Sequence, residues 1–286
     1  MNKWIVGARP RTLPAAIAPV LVGTALIRRD HHSMNYANAF LVLLVSLLLQ
    51  VAVNYSNDYS DGIRGTDNNR VGPIRLLASG LASPRAVKQA AIICFAFASL
   101  LGILLAARTS WWLILAGAFS ILAAWTYTGG SKPYGYLGFG EISVFIFFGL
   151  IATIGSYFVQ SHRITWQAAL VSLPVGALSC AILAVNNLRD LPKDSLVGKK
   201  TLAVRLGDKR ARQMFIGLLI LAHLAALLAA FITPWTLITL AFLPITLKIA
   251  QKVNGGAEGA DLIPTLGQVG KLQLLLSTTL AIALLI

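Results

Sequence analysis

Nine apolar runs, separated by polar stretches of different lengths, make up most of the sequence. They lie at residues 12–27, 37–55, 86–107, 111–128, 142–159, 168–186, 213–233, 235–250 and 271–286. Runs of about twenty apolar residues are typical of helices that cross a bilayer. In lipid the backbone must satisfy its own hydrogen bonds, and an α-helix does so within one segment. The pattern therefore predicts an all-α integral membrane protein, with about nine transmembrane helices in a single bundle over residues 1–286.

The composition agrees with this pattern. Hydrophobic residues make up 57% of the chain and charged residues only 12%, which is more apolar than a soluble domain of this size requires. The net charge of +14 is also compatible with nucleic-acid binding, but the basic residues lie in loops between the apolar runs. We therefore expect a lipid bilayer as partner and no nucleic acid.

The basic residues are distributed unequally between the two sides of the predicted bundle. Of 24 Lys and Arg residues, 20 fall in the N-terminal segment and in alternate loops, and 4 fall in the other loops. The positive-inside rule places the richer side in the cytoplasm. The N-terminus and the polar segments 56–85, 129–141 and 187–212 are thus expected on the cytoplasmic face of a cell membrane. The alternative is that some of these cations only fix topology and contact anionic lipid.

Asn and Asp recur at helical spacing where the second and sixth apolar runs end. The residues are Asn54, Asp58 and Asp61 after the second run, and Asn186, Asp190 and Asp194 after the sixth. At about 100° per residue, the first set lies within about 60° of one helix face. Pro192 is expected to bend the second stripe. Because both runs are even-numbered, both stripes leave the bundle on the same side and can converge.

Clustered carboxylates and amide oxygens, without His or Cys, are the hard ligands that suit Mg²⁺. The expected metal ligands are Asp58, Asp61, Asp67, Asp190, Asp194, Asn54 and Asn186, of which Asp67 lies in a Gly-rich turn where it could instead bond backbone amides. Cations accompany both stripes, as a diphosphate requires. Those expected to bind substrate are Arg64, Arg70, Arg75, Arg189, Lys199, Lys200 and Arg205. The two stretches therefore predict a metal–diphosphate site, in which Asp58, Asp61, Asp190 and Asp194 are catalytic.

A third polar stretch, between the fourth and fifth runs, combines Gly and Pro with tyrosines. Lys132, Tyr134 and Tyr136 are expected to face a flat phenolic substrate with a negative group, with Lys132 in a catalytic role. An aromatic belt at the membrane interface is the alternative for the two tyrosines. Glu141 begins the next run and is expected to bind substrate or metal, or to transfer a proton. The alternative is that it is only a negative charge at the N-terminus of a helix.

Several motifs, taken together in the order in which they occur along the chain, resemble those of the UbiA-type superfamily of intramembrane prenyltransferases. They are the opening Gly7-Ala-Arg-Pro-Arg-Thr-Leu-Pro14, Asn57-Asp-Tyr-Ser-Asp-Gly62, Arg70-Val-Gly-Pro-Ile-Arg75, Lys132-Pro-Tyr-Gly-Tyr136 and Asn186-Asn-Leu-Arg-Asp190, followed by Gly198 to Gly207. Within the superfamily the chain is similar to the 1,4-dihydroxy-2-naphthoate polyprenyltransferases, in particular the actinobacterial ones. One departure is Gly65, where the superfamily often has a third acid in its first motif.

The resemblance implies a nine-helix prenyltransferase fold and a Mg²⁺-dependent reaction. A polyprenyl group would pass from polyprenyl diphosphate to 1,4-dihydroxy-2-naphthoate with loss of carbon dioxide, giving demethylmenaquinone in a bacterial cell membrane. The isoprenoid tail would lie between helices and open sideways to lipid.

Other functions fit the sequence less well. Within the superfamily, 4-hydroxybenzoate or a haem-type acceptor is the main alternative. Asp58-x-x-Asp61-Gly62 also begins like the signature of CDP-alcohol phosphotransferases, but Gly65-Thr66 replaces the Ala-Arg pair that should follow. A secondary transporter would carry its charged residues near the bilayer middle rather than at helix ends. A structural scaffold has no need for duplicated Asn/Asp stripes.

Overall fold

The computed structural model describes residues 2–30, 33–66 and 72–286, and this part of the chain consists of helices and loops. Asp67 and Arg70 lie outside the described residues. Eleven α-helices follow one another: α1 (Lys3–Ala8), α2 (Pro14–Ala25), α3 (Tyr36–Ile63), α4 (Pro84–Arg108), α5 (Trp112–Thr128), α6 (Gly140–Val144), α7 (Ala152–Ser161), α8 (Trp166–Leu196), α9 (Leu202–Leu228), α10 (Leu243–Asn254) and α11 (Leu262–Leu285). A π-helical stretch, Phe145–Ile151, joins α6 to α7, and a 3₁₀ stretch, Pro234–Phe242, precedes α10.

Seven helical stretches of the described chain are long and apolar enough to cross a membrane. They are Tyr36–Ile63, Pro84–Arg108, Gly140–Ser161, Trp166–Leu196, Leu202–Phe231, Pro234–Asn254 and Gly259–Leu285. The bent pair Lys3–Thr12 and Pro14–Arg29 makes an eighth if it is one span, and Trp112–Thr128 is a shorter apolar helix. The all-helical prediction is confirmed, and the count of nine is approximate because these last two stretches do not meet the length test alone.

The helices run further than the apolar runs that predicted them. α3 continues to Ile63 rather than ending near residue 55, and α8 continues through Pro192 to Leu196 rather than ending near residue 186. Both extensions carry the Asn/Asp stripes. Charged side chains are tolerated there because they face the protein interior and find partners. The stripes are therefore part of the helices themselves.

The bundle is built around α8. Its apolar side packs against α9, α10 and α11 in a core that contains Leu178, Phe215 and Leu272, each at most 1% exposed. A second core joins α8 to α2, α7 and α11. By contrast, Phe97 and Leu100 of α4 and Leu122 of α5 are more than half exposed. Large apolar side chains on these outer faces are suited to contact with lipid.

Glycines let two helix pairs approach closely. A Cβ on Gly149 would lie 2.7 Å from Cα of Gly176, where the π-helical stretch crosses α8. A Cβ on Gly23 would lie 2.2 Å from the Thr153 carbonyl oxygen, where α2 crosses α7. Both distances are too short for any larger residue, as at the small-residue crossings typical of membrane helices.

Candidate functional site

A cavity of about 1230 Å³ lies between α2, α3, α4, α5, α7 and α8. Most of its wall is apolar, and polar groups gather where α3 and α8 end. This polar end is lined by Asn57, Asp61, Thr66, Arg75, Tyr136, Asn186, Asn187, Asp190, Lys193, Asp194 and Lys199. The two predicted stripes therefore reach one cavity, from opposite halves of the chain.

Asp61 is the centre of the polar end. Its Oδ1 accepts a hydrogen bond from the Tyr136 hydroxyl at 2.5 Å and lies 3.4 Å from Nζ of Lys199. Its Oδ2 lies 3.9 Å from Nη2 of Arg75. The Lys199 ammonium also sits 4.6 Å from the Tyr136 ring centroid. Burial raises the pKa of Tyr136, and the Asp61 carboxylate raises it further, so the phenol stays protonated and keeps donating.

Arg189 holds two residues of the second stripe, Asp190 and Asn186, in place. Arg189 donates to both carboxylate oxygens of Asp190, at 2.8 Å from Nε and 2.7 Å from Nη2, and to Oδ1 of Asn186 at 2.8 Å. Paired Arg–carboxylate bonds of this kind fix orientation as well as charge. Asp190, Asp194 and Asn186 line the cavity, whereas Arg189 does not line it and holds Asp190 and Asn186.

Asp58, which was expected to bind metal, does not line the cavity. It is fully buried, and its Oδ2 and Oδ1 accept the backbone N–H groups of Leu76 and Leu77 at 2.8 and 3.2 Å. Asp58 is rotated by about 60° from Asp61 around α3, enough to turn it towards the loop before α4. Asn57, one turn before Asp61, lines the cavity instead and accepts a hydrogen bond from the Thr128 hydroxyl at 2.8 Å.

Asn54 lines the cavity, but its amide is engaged in structural hydrogen bonds. Its Nδ2 donates to the Ala8 carbonyl at 2.9 Å and to Oγ1 of Thr12 at 3.1 Å. Arg9, which has the left-handed φ of 52°, donates to the Asn54 carbonyl at 3.1 Å. Asn54 therefore anchors the bend between α1 and α2 rather than standing at the polar end with Asp61.

The Gly-rich loop after α5 is held on both sides. Arg64 donates to the carbonyl oxygens of Thr128 and Gly130, and the Tyr134 hydroxyl bonds the Ala123 carbonyl at 2.9 Å and Oγ of Ser143 at 2.8 Å. Burial raises the pKa of Tyr134, although the bond to Ser143 partly offsets this. Tyr134 and Tyr136 line the cavity from the 3₁₀ turn Tyr134–Leu137.

Four more cations predicted to meet substrate lie, like Arg189, outside the cavity lining. Arg64, Lys132, Lys200 and Arg205 are exposed, and of these Arg64 supports the loop while Arg205 donates to the Lys200 carbonyl at 3.2 Å. Sequence spacing placed them near the acids but could not show on which side of the loop each one points. Their contact with substrate, and the catalytic role of Lys132, stay predictions that the cavity lining does not support.

Glu141 lies behind the cavity wall. It is 6% exposed, and its Oε1 accepts from Nδ2 of Asn187 at 2.9 Å. Asn187 itself lines the cavity, so this amide connects Glu141 to the site. Asn57 and Asn187 were both missed from the sequence, although the run Asn186-Asn187 and the position of Asn57 four residues before Asp61 carried the signal.

A known family accounts for most of the chain. Residues 16–261 match the UbiA prenyltransferase family. The chain belongs to this family.

Two relatives with similar sequences carry the same name. The 1,4-dihydroxy-2-naphthoate octaprenyltransferase of Mycobacterium tuberculosis is 48% identical over 282 residues, covering 99% of this chain and 96% of that protein. The Escherichia coli protein of that name is 40% identical over 217 residues, covering 73% and 70%. A solved UbiA homolog from Archaeoglobus fulgidus, bound to DMAPP and Mg²⁺, shares the fold with a TM-score of 0.71 and 16% identity over 99% of each chain. The chain is thus a multi-pass membrane protein of the UbiA family.

The polar end of this UbiA-family cavity fits Mg²⁺ in its donor chemistry. Over residues 2–30, 33–66 and 72–286, no three acidic, His or Cys side chains lie close enough to hold one ion. Mg²⁺, however, is usually bound by one or two carboxylates and completes its shell with water and phosphate oxygens. Asp61 on α3 and the pair Asp190 and Asp194 on α8 supply carboxylates from two sides, which suits ions that share a diphosphate between them.

Proposed function

We propose that this chain transfers a polyprenyl group from a polyprenyl diphosphate to 1,4-dihydroxy-2-naphthoate, with loss of carbon dioxide, on the pathway to menaquinone. The observation that carries the proposal is the 48% identity, over 99% of the chain, to a relative named for this reaction. The cavity supports it, because one space joins a charged end to a long apolar wall. A diphosphate with an isoprenoid tail has the same two parts.

The donor substrate would lie with its diphosphate at the polar end. Asp61, Asp190 and Asp194, with the amide oxygens of Asn57 and Asn186, would hold Mg²⁺, which neutralises phosphate charge and favours departure of the diphosphate. Arg75, Lys193 and Lys199 line the same end and would bind phosphate oxygens. Tyr136 keeps Asp61 oriented, and Arg189 does the same for Asp190.

The transfer exchanges a carboxyl group on the ring for the prenyl group. The allylic C–O bond to the diphosphate breaks, and the electron-rich ring forms a new C–C bond at that carbon. The ring then loses its carboxylate as carbon dioxide, the electron pair of that broken C–C bond restores the aromatic ring, and the diphosphate leaves as an anion. The immediate product is the quinol form of demethylmenaquinone. Apolar walls from α4 and α5 exclude water, which would otherwise capture the allylic electrophile.

The charge distribution supports an orientation with the polar end facing the cytoplasm. The loops on that side carry 20 of the 24 Lys and Arg residues, and the positive-inside rule applies to short loops of this kind. Both soluble substrate groups, the diphosphate and the hydroxynaphthoate, would then enter from the cytoplasmic side of a bacterial cell membrane.

The test is an acceptor competition with purified protein. Octaprenyl diphosphate and Mg²⁺ are supplied with equal amounts of 1,4-dihydroxy-2-naphthoate and 4-hydroxybenzoate, and products are identified by mass. We expect the prenylated, decarboxylated naphthoate product, and none after chelation of Mg²⁺. Preference for the benzoate would overturn the acceptor and leave prenyl transfer in place. No product from either acceptor, with protein that remains folded, would overturn the activity.

A further inference from the structure

A second polar position lies deeper in the cavity, on the same side of α3 as Asp61. Gln50 lines the cavity and is 6% exposed. It precedes Asp61 by eleven residues, which corresponds to about 16 Å along the helix and a rotation of only about 20°. The space between the two side chains has the length needed for a diphosphate followed by an aromatic ring.

The amide of Gln50 is fixed in one orientation. Its Nε2 donates to Oγ1 of Thr12 at 3.1 Å and to Oδ1 of Asn54 at 3.4 Å. The opposite orientation would place Oε1 against the Asn54 oxygen, two acceptors facing each other. Asn54 is itself held, because its Nδ2 donates to Ala8 and Thr12. The network therefore leaves the Gln50 carbonyl as the group that is not used within the protein.

The Gln50 Oε1 atom is buried and has no hydrogen-bond partner among the described residues. A buried acceptor without a donor costs about 1–3 kcal/mol, so a ligand that brings a hydroxyl donor gains from filling this position. Arg9 and Arg11 line the same part of the cavity. A ring that carries a hydroxyl and a carboxylate matches an acceptor oxygen next to positive charge.

We propose that Gln50 binds the aromatic acceptor by accepting a hydrogen bond from one of its ring hydroxyls. The inference rests on the proposed function, since it assigns a residue to the acceptor half of that reaction. The ring would be held between Gln50 and the diphosphate, with its hydroxyl fixed and a neighbouring ring carbon facing the allylic carbon. Orientation of this kind is a large part of catalysis when two substrates must meet.

The test removes the proposed hydrogen bond in two ways, by changing Gln50 and by omitting a ring hydroxyl from the ligand. The wild type and Gln50→Met are compared with 1,4-dihydroxy-2-naphthoate and with its two monohydroxy analogues, 1-hydroxy-2-naphthoate and 4-hydroxy-2-naphthoate. Binding to purified protein is followed by titration calorimetry. KM for each acceptor is measured at saturating octaprenyl diphosphate, and KM for octaprenyl diphosphate is measured at saturating acceptor. In the wild type we expect one analogue to bind about tenfold more weakly than the dihydroxy compound. In Gln50→Met that ratio should fall to about one, with KM for octaprenyl diphosphate changed less than about twofold.

Gln273→Met is the matched control. Gln273 is also fully buried, with Nε2 bonded to Ser179 and Val175 and with Oε1 unpartnered among the residues described, but it does not line the cavity. This variant should keep the tenfold discrimination. If Gln50→Met does not fold, Gln50→Asn withdraws the carbonyl by one methylene and should give the same loss of discrimination.

The outcomes separate the two proposals. Full discrimination in a folded Gln50 variant would overturn the role of Gln50, while the reaction stands. A wild type that transfers no prenyl group to the naphthoate would instead overturn the proposed function, whatever the binding data show.

Discussion

Two aspartates three residues apart on α3 have different surroundings. Asp61 lines the cavity and meets Tyr136, Lys199 and Arg75, whereas Asp58 is fully buried against the backbone of Leu76 and Leu77. A carboxylate that accepts hydrogen bonds from two backbone N–H groups stabilises a loop. A carboxylate that lines a cavity beside cations, as Asp61 does, can instead bind a ligand that enters the cavity. We therefore expect their substitution to have different effects.

Asp61→Asn should lower prenyl transfer by about 100-fold or more, because the loss of a carboxylate weakens the hold on the metal–diphosphate. The protein should still insert and purify with near-normal thermal stability. Activity is measured against Mg²⁺ concentration, and stability by thermal unfolding in detergent. An Asp61→Asn protein with wild-type activity would contradict the assignment of the site.

Asp58→Asn serves as the comparison within the same motif. One backbone amide would lose its acceptor, at a cost of about 1–3 kcal/mol in stability. The midpoint of thermal unfolding should fall, while the Mg²⁺ concentration for half-maximal activity should stay within about twofold. A large shift in Mg²⁺ dependence without a loss of stability would show that Asp58 contacts the metal after all.

The sequence predicted the residue types of the site better than their directions. Asp61, Asp190 and Tyr136, which were all predicted to belong to the site, line the cavity. A spread of about 60° on a helix face, however, covers both the cavity and a neighbouring loop, so Asp58 could not be distinguished from Asp61. Gln50 gave no signal because a Gln in an apolar run has no recognisable spacing. Its position becomes informative only once the cavity is known.

At the scale of elements, close helix crossings determine the shape of the bundle. The π-helical stretch Phe145–Ile151 brings Gly149 against Gly176 of α8. An extra residue per turn rotates the helix face that follows it, and α7, which lines the cavity, comes directly after. The crossing therefore positions the α7 wall as well as packing the core.

Gly149→Ala should destabilise the protein by about 1–3 kcal/mol, because the added Cβ would overlap the α8 backbone. Gly217→Ala is the matched control: Gly217 is exposed within α9, and its Cβ would meet no atom within 4 Å. Replacement of a helical Gly in open space is expected to stabilise by up to about 1 kcal/mol. Thermal unfolding of both variants in one detergent gives the comparison, and equal stability would contradict the proposed crossing constraint.

The helices were predictable because apolar length is a strong signal, but their ends were not. α11 begins at Leu262, whereas the predicted run begins only at residue 271, and the added part contains Thr265 and Gln268. Thr265 is fully buried. A polar residue at such a position shortens the apolar run without ending the helix, because it faces protein rather than lipid. Sequence hydropathy is therefore a better guide to the lipid-exposed part of a helix than to the part that is enclosed.

At the scale of the whole molecule, charge is concentrated on one side. Lys132 lies in the loop after α5, on the side of the polar end, and Arg163 lies between α7 and α8 on the opposite side; both are exposed. The two positions are therefore suitable reporters of orientation.

Lys132→Cys should react with a membrane-impermeant maleimide only in inside-out vesicles, and Arg163→Cys only in right-side-out vesicles, if the polar end is cytoplasmic. Labelling is read as a mass shift on a gel. The wild type is the background, since Cys180 is buried and Cys94 lies half-buried within α4. The reverse pattern would place the site on the outer face.

The contacts of Asp61 have a consequence for how a strongly charged ligand enters a membrane protein. Its carboxylate is already neutralised by Lys199 and Arg75, which come from different halves of the chain. In the proposed reaction Lys199 and Arg75 would turn from Asp61 to the phosphate oxygens, and Asp61 would be left to hold Mg²⁺. Each of these charged groups would then keep an opposite charge beside it, and the same contacts with Asp61 would form again when the diphosphate leaves.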